Sequence, residues 1–139
     1  MKTSLIATAV LIAVFISSSV YAHHSAAGID RAKSVTVEGT VRSFKWGNPH
    51  SWLEVDVPNN KGGNDLWNFE MNPPAYLVRS GWKSTSVKTG DKVKVTGRPF
   101  ISGDPGGIFV SVTLSNGQVL GAGAQPSTLP PAQPQGQRQ

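Results

Sequence analysis

SVTVEGTVRSFKWGNPHSWLEVDV, Ser34 to Val57, is the stretch whose reading decides the fold. Val35, Val37 and Val41 repeat at even spacing with Gly39 between them, the period of a strand with one buried face. Phe44 and Trp46 then fall on the opposite parity. A parity switch with no intervening loop predicts a bulge near Arg42-Ser43, the device that lets a long strand curl around a small barrel. Gly47-Asn48-Pro49 is a turn signal. Alternation resumes from His50 to Val57, with Leu53, Val55 and Val57 on one face and Trp52, Glu54 and Asp56 on the other.

Working outward, Pro58 to Asn64 is a loop by composition. Leu66 to Met71 predicts a third strand with Trp67, Phe69 and Met71 on one face. Asn72 is placed to cap a short helix, with Pro73 at its first position. Ala75, Tyr76, Leu77 and Val78 fill that helix and Gly81 ends it. Lys88 to Asp91 is a turn, Lys92 to Phe100 a fourth strand with Val93 and Val95 inward, and Ser102 to Gly107 a loop. Ile108, Val110, Val112 and Leu114 mark one face of a fifth strand. Asn116-Gly117 signals a two-residue hairpin, so Gln118 to Leu120 folds back as a short sixth strand. Three strands, a short helix, then two strands is the order of an OB-fold, a mostly β Greek-key barrel with its helix between strands three and four. Another small barrel and an open β-sheet are the competing architectures.

The ends of the 139-residue chain read differently. Lys2 precedes an uncharged stretch containing Leu5, Ile6, Val10, Leu11, Ile12, Val14, Phe15 and Ile16, and Val20-Tyr21-Ala22 follows. A basic start, an apolar core and a small-residue cleavage site define a secretory signal peptide, here residues 1–22. An uncleaved anchor is the alternative, but the apolar run is shorter than the ~18 residues of a bilayer span. Residues 23–33 form a leader, 34–120 the barrel, and 121–139, rich in Pro, Gln and Gly, a tail too poor in apolar side chains to order itself. The expected setting is periplasmic or secreted, with no membrane span after cleavage. There are no cysteines, so neither a disulfide nor a thiolate metal site is available. Removing residues 1–22 takes away only Lys2 and leaves 12 basic against 8 acidic residues, a charge of +4. The basic residues are scattered, so no nucleic-acid footprint is expected.

Several segments carry a resemblance. They are His23-His24-Ser25, Gly39-Thr40-Val41 followed by Phe44-Lys45-Trp46 and Asn48-Pro49-His50, Gly81-Trp82, Gly90-Asp91-Lys92-Val93 and Gly97-Arg98-Pro99. Together they resemble a family of small exported bacterial proteins known only as a domain of unknown function. The resemblance spans nearly all of residues 23–120, and Asn-Pro-His is its most specific part. It implies an exported single domain and supplies no activity, substrate or site residue. The strand and helix order also resembles, more distantly, periplasmic OB-fold stress proteins.

The three histidines are His23, His24 and His50. Cleavage after Ala22 makes His23 the first residue, so its α-amino group and ring Nδ1 become available to chelate one metal ion. The imidazole of His50 completes a three-nitrogen, T-shaped set that looks like the histidine brace of copper proteins. Nitrogen donors in a plane suit Cu(II), and an α-amino group with a pKa of about 7.7–8.0 is readily deprotonated by a metal. His24 is an alternative ligand to His50. Ser25 stands at the third mature position, so the amino-terminal motif that needs histidine there is absent. The competing reading is plain: a disordered leader, and a His50 that serves only the turn.

Trp46, Trp52 and Trp67 are the aromatic candidates to frame such a site or to stack on a glycan or other small ligand, since OB-folds bind across strands two and three. Their competing role is core packing. A protein partner is the third possibility. Hydrolytic chemistry has no motif here: no His-Glu-x-x-His, no Gly-x-Ser-x-Gly and no cysteine nucleophile. Glu54, Asp56 and Glu70 are each candidates to pair with His50, and spacing does not choose among them.

Overall fold

A computed structural model describes residues 28–123. The signal segment, His23, His24 and most of the tail lie outside the described residues. Six strands form one sheet: β1 (Val35–Lys45), β2 (Ser51–Pro58), β3 (Asn64–Met71), β4 (Lys92–Pro99), β5 (Gly106–Leu114) and β6 (Val119–Gly121). A short helix α1 (Pro74–Arg79) lies between β3 and β4. The order β3-β2-β1-β4-β5-β6 is closed by a parallel pairing of β3 with β5. Five strands thus make a barrel, and β6 extends it beyond β5. This is the OB-like Greek-key arrangement expected from the element order.

The parity switch in β1 is a bulge. Its register against β2 shifts between Val41 and Ser43, so Val41 on one side and Phe44 on the other both turn toward the core. A second bulge was not legible in the sequence. The register of β4 against β5 shifts between Thr96 and Gly97, where Ser111 and then Phe109 are the partners. Val110 is skipped and points outward, 38% exposed, while Phe109 is buried. The expectation that Ile108, Val110, Val112 and Leu114 share one buried face is therefore corrected: the buried side chains are Phe109 and Val112.

Barrel closure requires two backbones to meet at the β3–β5 seam. Asn68 and Gly106 are partners there, and a Cβ on Gly106 would stand 2.3 Å from the Asn68 carbonyl oxygen. Only glycine admits that approach.

Helix α1 also departs from expectation at its start. Pro73 is its N-cap, Pro74 begins the helix, and no side chain caps it. Asn72 instead donates through Nδ2 to the carbonyls of Ala122 (2.8 Å) and Gly123 (3.2 Å). The end is as expected. Gly81 N–H reaches Val78 O and Trp82 N–H reaches Leu77 O, the two bonds of a Schellman motif. That motif delivers Trp82 into the core at 1% exposure. Its ring packs on Phe44 and edge-on against Phe109, each with centroids 5.6 Å away. Its indole N–H donates to Gly121 O at 2.7 Å, which satisfies the one polar atom of a buried tryptophan.

The final hairpin has three loop residues. Leu114 N–H bonds Gln118 O, and Ser115, Asn116 and Gly117 lie between, with Gly117 at φ +84°. No residue other than glycine has positive φ among those described. A two-residue type I′ turn, which needs Asn116 there, is therefore not formed. Ordered structure continues past Leu120: Ala122 N–H bonds Val110 O at 2.8 Å, so residues 121–123 belong to the barrel wall and not to the tail.

Candidate functional site

Strand register places one row of side chains on the outer face. Lys45 pairs with Trp52, Trp52 with Glu70, Glu70 with Ile108, and Ile108 with Arg98. Cross-strand partners share a face, and the neighbouring row Phe44, Leu53, Phe69 points into the core. The loop Trp46 to His50 leads into β2. The Asn48–Pro49 peptide bond in it is cis, and Gly47 N–H donates to the buried Ser51 hydroxyl at 3.4 Å. Ser51 pairs with Met71, so His50 stands opposite Asn72 and diagonal to Glu70 on the outer face.

That diagonal is a close histidine–carboxylate contact. His50 Nδ1 lies 2.5 Å from Glu70 Oε1, with the side chains 37% and 13% exposed. A carboxylate only accepts hydrogen bonds, so the Nδ1–H faces Glu70 and Nε2 is the ring nitrogen turned away from it. The other two candidate carboxylates are engaged elsewhere. Glu54 Oε1 takes Lys45 Nζ at 2.6 Å and Oε2 takes the Ser43 hydroxyl at 2.6 Å. These contacts, Lys45 first and then Ser43, hold its carboxyl below the usual range. Asp56 is ion-paired with Arg42: Oδ2 accepts from Nε at 3.0 Å and Oδ1 lies 2.6 Å from Nη2.

His50 and Glu70 line a cavity of about 480 Å³ together with Arg31, Asn72, Arg98 and an apolar set of Ile29, Met71, Ile108, Phe109 and Ala122. One wall is the leader. Ile29 bridges Phe100, Asp30 N–H bonds Pro99 O at 2.9 Å, and Ile101 N–H bonds Gly28 O at 2.8 Å. Asp30 then holds a tight turn through Ala32 N–H and Lys33 Nζ. The Arg98 guanidinium donates to the Arg31 carbonyl. Residues 28–33 are thus attached beside the histidine.

The tryptophans are dispersed. Trp46 meets Phe44 edge-on and packs against the core. Trp67 stacks on Phe69 and does the same. Trp52 is half-buried in the outer row next to Glu70. None of the three lines the cavity. Arg31 and Arg98 were not singled out as a site from sequence, and Glu70 was one of three carboxylates considered for His50. The only signal for Glu70 was strand register, and the arginines come from segments 67 residues apart. Among the described residues no group of three or more His, Cys, Asp or Glu side chains could hold a metal ion.

Fold and site together define a small OB-like barrel with a mixed polar and apolar cavity on its outer face, roofed by its own leader. The chain belongs to a family of unknown function (DUF6152), whose family model matches residues 11–109. Searches of curated proteins and of solved structures give no match.

Proposed function

We propose that this protein is an exported binding domain that holds Cu(II) through the amino group and ring of His23 and the ring of His50. The observation that carries the proposal is the pairing of His50 Nδ1 with Glu70 at a cavity walled by the leader. Metal-ligating histidines characteristically give their other ring nitrogen to a carboxylate, which sets the tautomer and raises ligand basicity. Glu70 is that carboxylate, and it leaves Nε2 as the donor. The leader is tethered at Gly28 and Ile29 beside the same cavity. His23 lies five positions before Gly28 in the chain, a reach of up to about 17 Å when extended. A basic-apolar-small leader sequence supports export and cleavage after Ala22. His24 is the alternative second imidazole.

The test has two parts. The mass of the exported protein reports whether it begins at His23. Cu(II) is then titrated against a competing chelator. The expected result is tight binding that is lost in His50→Ala and in a chain extended by one residue before His23. Glu70→Gln should weaken it about 10–100-fold, as loss of an orienting partner does. Affinity unchanged by the extension sinks the His23 arm. Affinity unchanged in His50→Ala but lost in His24→Ala transfers the second arm to His24.

A further inference from the structure

We propose that the same cavity is a binding site for a small amphiphilic carboxylate, held by Arg31 and Arg98 at its head and by Ile29, Met71 and Ile108 along its body. This inference concerns the cavity and not the metal, and it stands without copper.

The balance of charge around the cavity is the starting point. Its lining includes two guanidinium groups and one carboxylate, and that carboxylate, Glu70, is engaged by His50. Among the described residues neither arginine has an acidic partner. A second depression, about 440 Å³ beside the start of β4, differs. There Lys94 has an acidic partner, Glu38 at 2.7 Å, while Lys92 Nζ donates to the neutral Thr40 hydroxyl at 2.6 Å. Cations drawn to one cavity and left without counter-charges favour an anion there, and a planar guanidinium suits a carboxylate by geometry.

The position of the arginines is constrained. Arg98 lies in β4 opposite Ile108 and is tied through its guanidinium to the Arg31 carbonyl. Arg31 follows the anchored pair Ile29 and Asp30. The Arg98 guanidinium is thus tied to the leader backbone at Arg31 before any ligand arrives, and both residues line the one cavity, which lowers the ordering cost of binding for Arg98. The rest of the lining argues against a bare inorganic anion. Ile29 and Met71 are buried at 6% and 3% exposure, and Ile108 rises between Glu70 and Arg98 in the outer row. About 480 Å³ falls within the range of small-molecule sites, which combine an apolar wall with a few polar anchors.

The test uses the full exported protein stripped of metal with EDTA, so a failure of copper binding does not affect it. Octanoate is titrated and amide NMR shifts are followed at Glu70, Ile108 and Ala122. The expected result is saturable binding. It should weaken at least about tenfold, or 1.4 kcal/mol, in Arg31→Gln/Arg98→Gln. Both arginines are exposed, and the amide spectrum verifies that the double variant is folded. Octan-1-ol, which keeps the chain without the charge, and acetate, which keeps the charge without the chain, should each bind at least about tenfold more weakly. Octanoate affinity unchanged in the double variant, equal affinity for octan-1-ol or for acetate, or no shifts at the cavity amides would overturn the proposal.

Discussion

Single side chains on the outer face do two different jobs. Glu54 is structural: its carboxylate joins Ser43 and Lys45 just past the β1 bulge. Its folded-state pKa is lowered, chiefly by Lys45 and then by Ser43. The stabilisation is therefore fully present above the ordinary value of 4.5 and is lost as pH falls through the lowered folded value. Denaturation midpoints measured from pH 7 down to pH 2 should fall less steeply for Glu54→Gln than for the parent. Because Lys45 is largely exposed, the difference should shrink in high salt. Glu70, on the adjacent strand, belongs to the site. The choice of Glu70 for His50 was open in the sequence because three carboxylates lie on the same strands. Register settles it, since Ser51 opposite Met71 makes His50 the diagonal neighbour of Glu70.

Elements explain where the barrel closes and where it is fragile. The β3–β5 seam is short, three residue pairs, and Gly106 permits it. Gly106→Ala places a Cβ against the Asn68 carbonyl and should cost about 3 kcal/mol, at the large end for one substitution. Hydrogen exchange should show the seam amides losing protection before those of β1 and β2. The region after α1 depends on Trp82. Trp82→Ala should destabilise by about 3–5 kcal/mol, since it empties the space between Phe44 and Phe109. Trp82→Phe keeps most of the packing and strands the Gly121 carbonyl, a loss of about 1–3 kcal/mol. Chemical denaturation of the two variants separates packing from the hydrogen bond. The β1 bulge and the Gly81 stop were both legible, because each changes the local pattern of residue types. The bulge at Val110 was not, because Ile108, Val110 and Val112 keep perfect alternation and only the partner strand skips one of them.

At the scale of the molecule, the leader is the piece that turns a barrel surface into a cavity. Its burial is slight, with Ile29 its only buried side chain among the described residues. Starting the chain at Ser34 should therefore cost only about 1.5–3 kcal/mol, the worth of one buried isoleucine, and leave the barrel folded by circular dichroism. The same truncation removes Ile29 and Arg31 from the cavity along with His23. Binding of both Cu(II) and octanoate should disappear from a protein that still melts cooperatively. Loss of the fold itself would show instead that the leader is part of the core.

Periodicity and turn chemistry, which are local, were sufficient for the strands, the helix, their order and hence the OB-like barrel. They also supplied the three histidines as candidates. The cavity was decided only by tertiary structure, because its members come from the leader, the β1–β2 loop, β3, β4 and β5. No local pattern encodes that Arg31 meets Arg98, or that a histidine before β2 meets a glutamate near the end of β3. Such meetings are set by strand register and by closure of the sheet on itself, and closure brings distant segments together through backbone hydrogen bonds that are indifferent to side-chain identity.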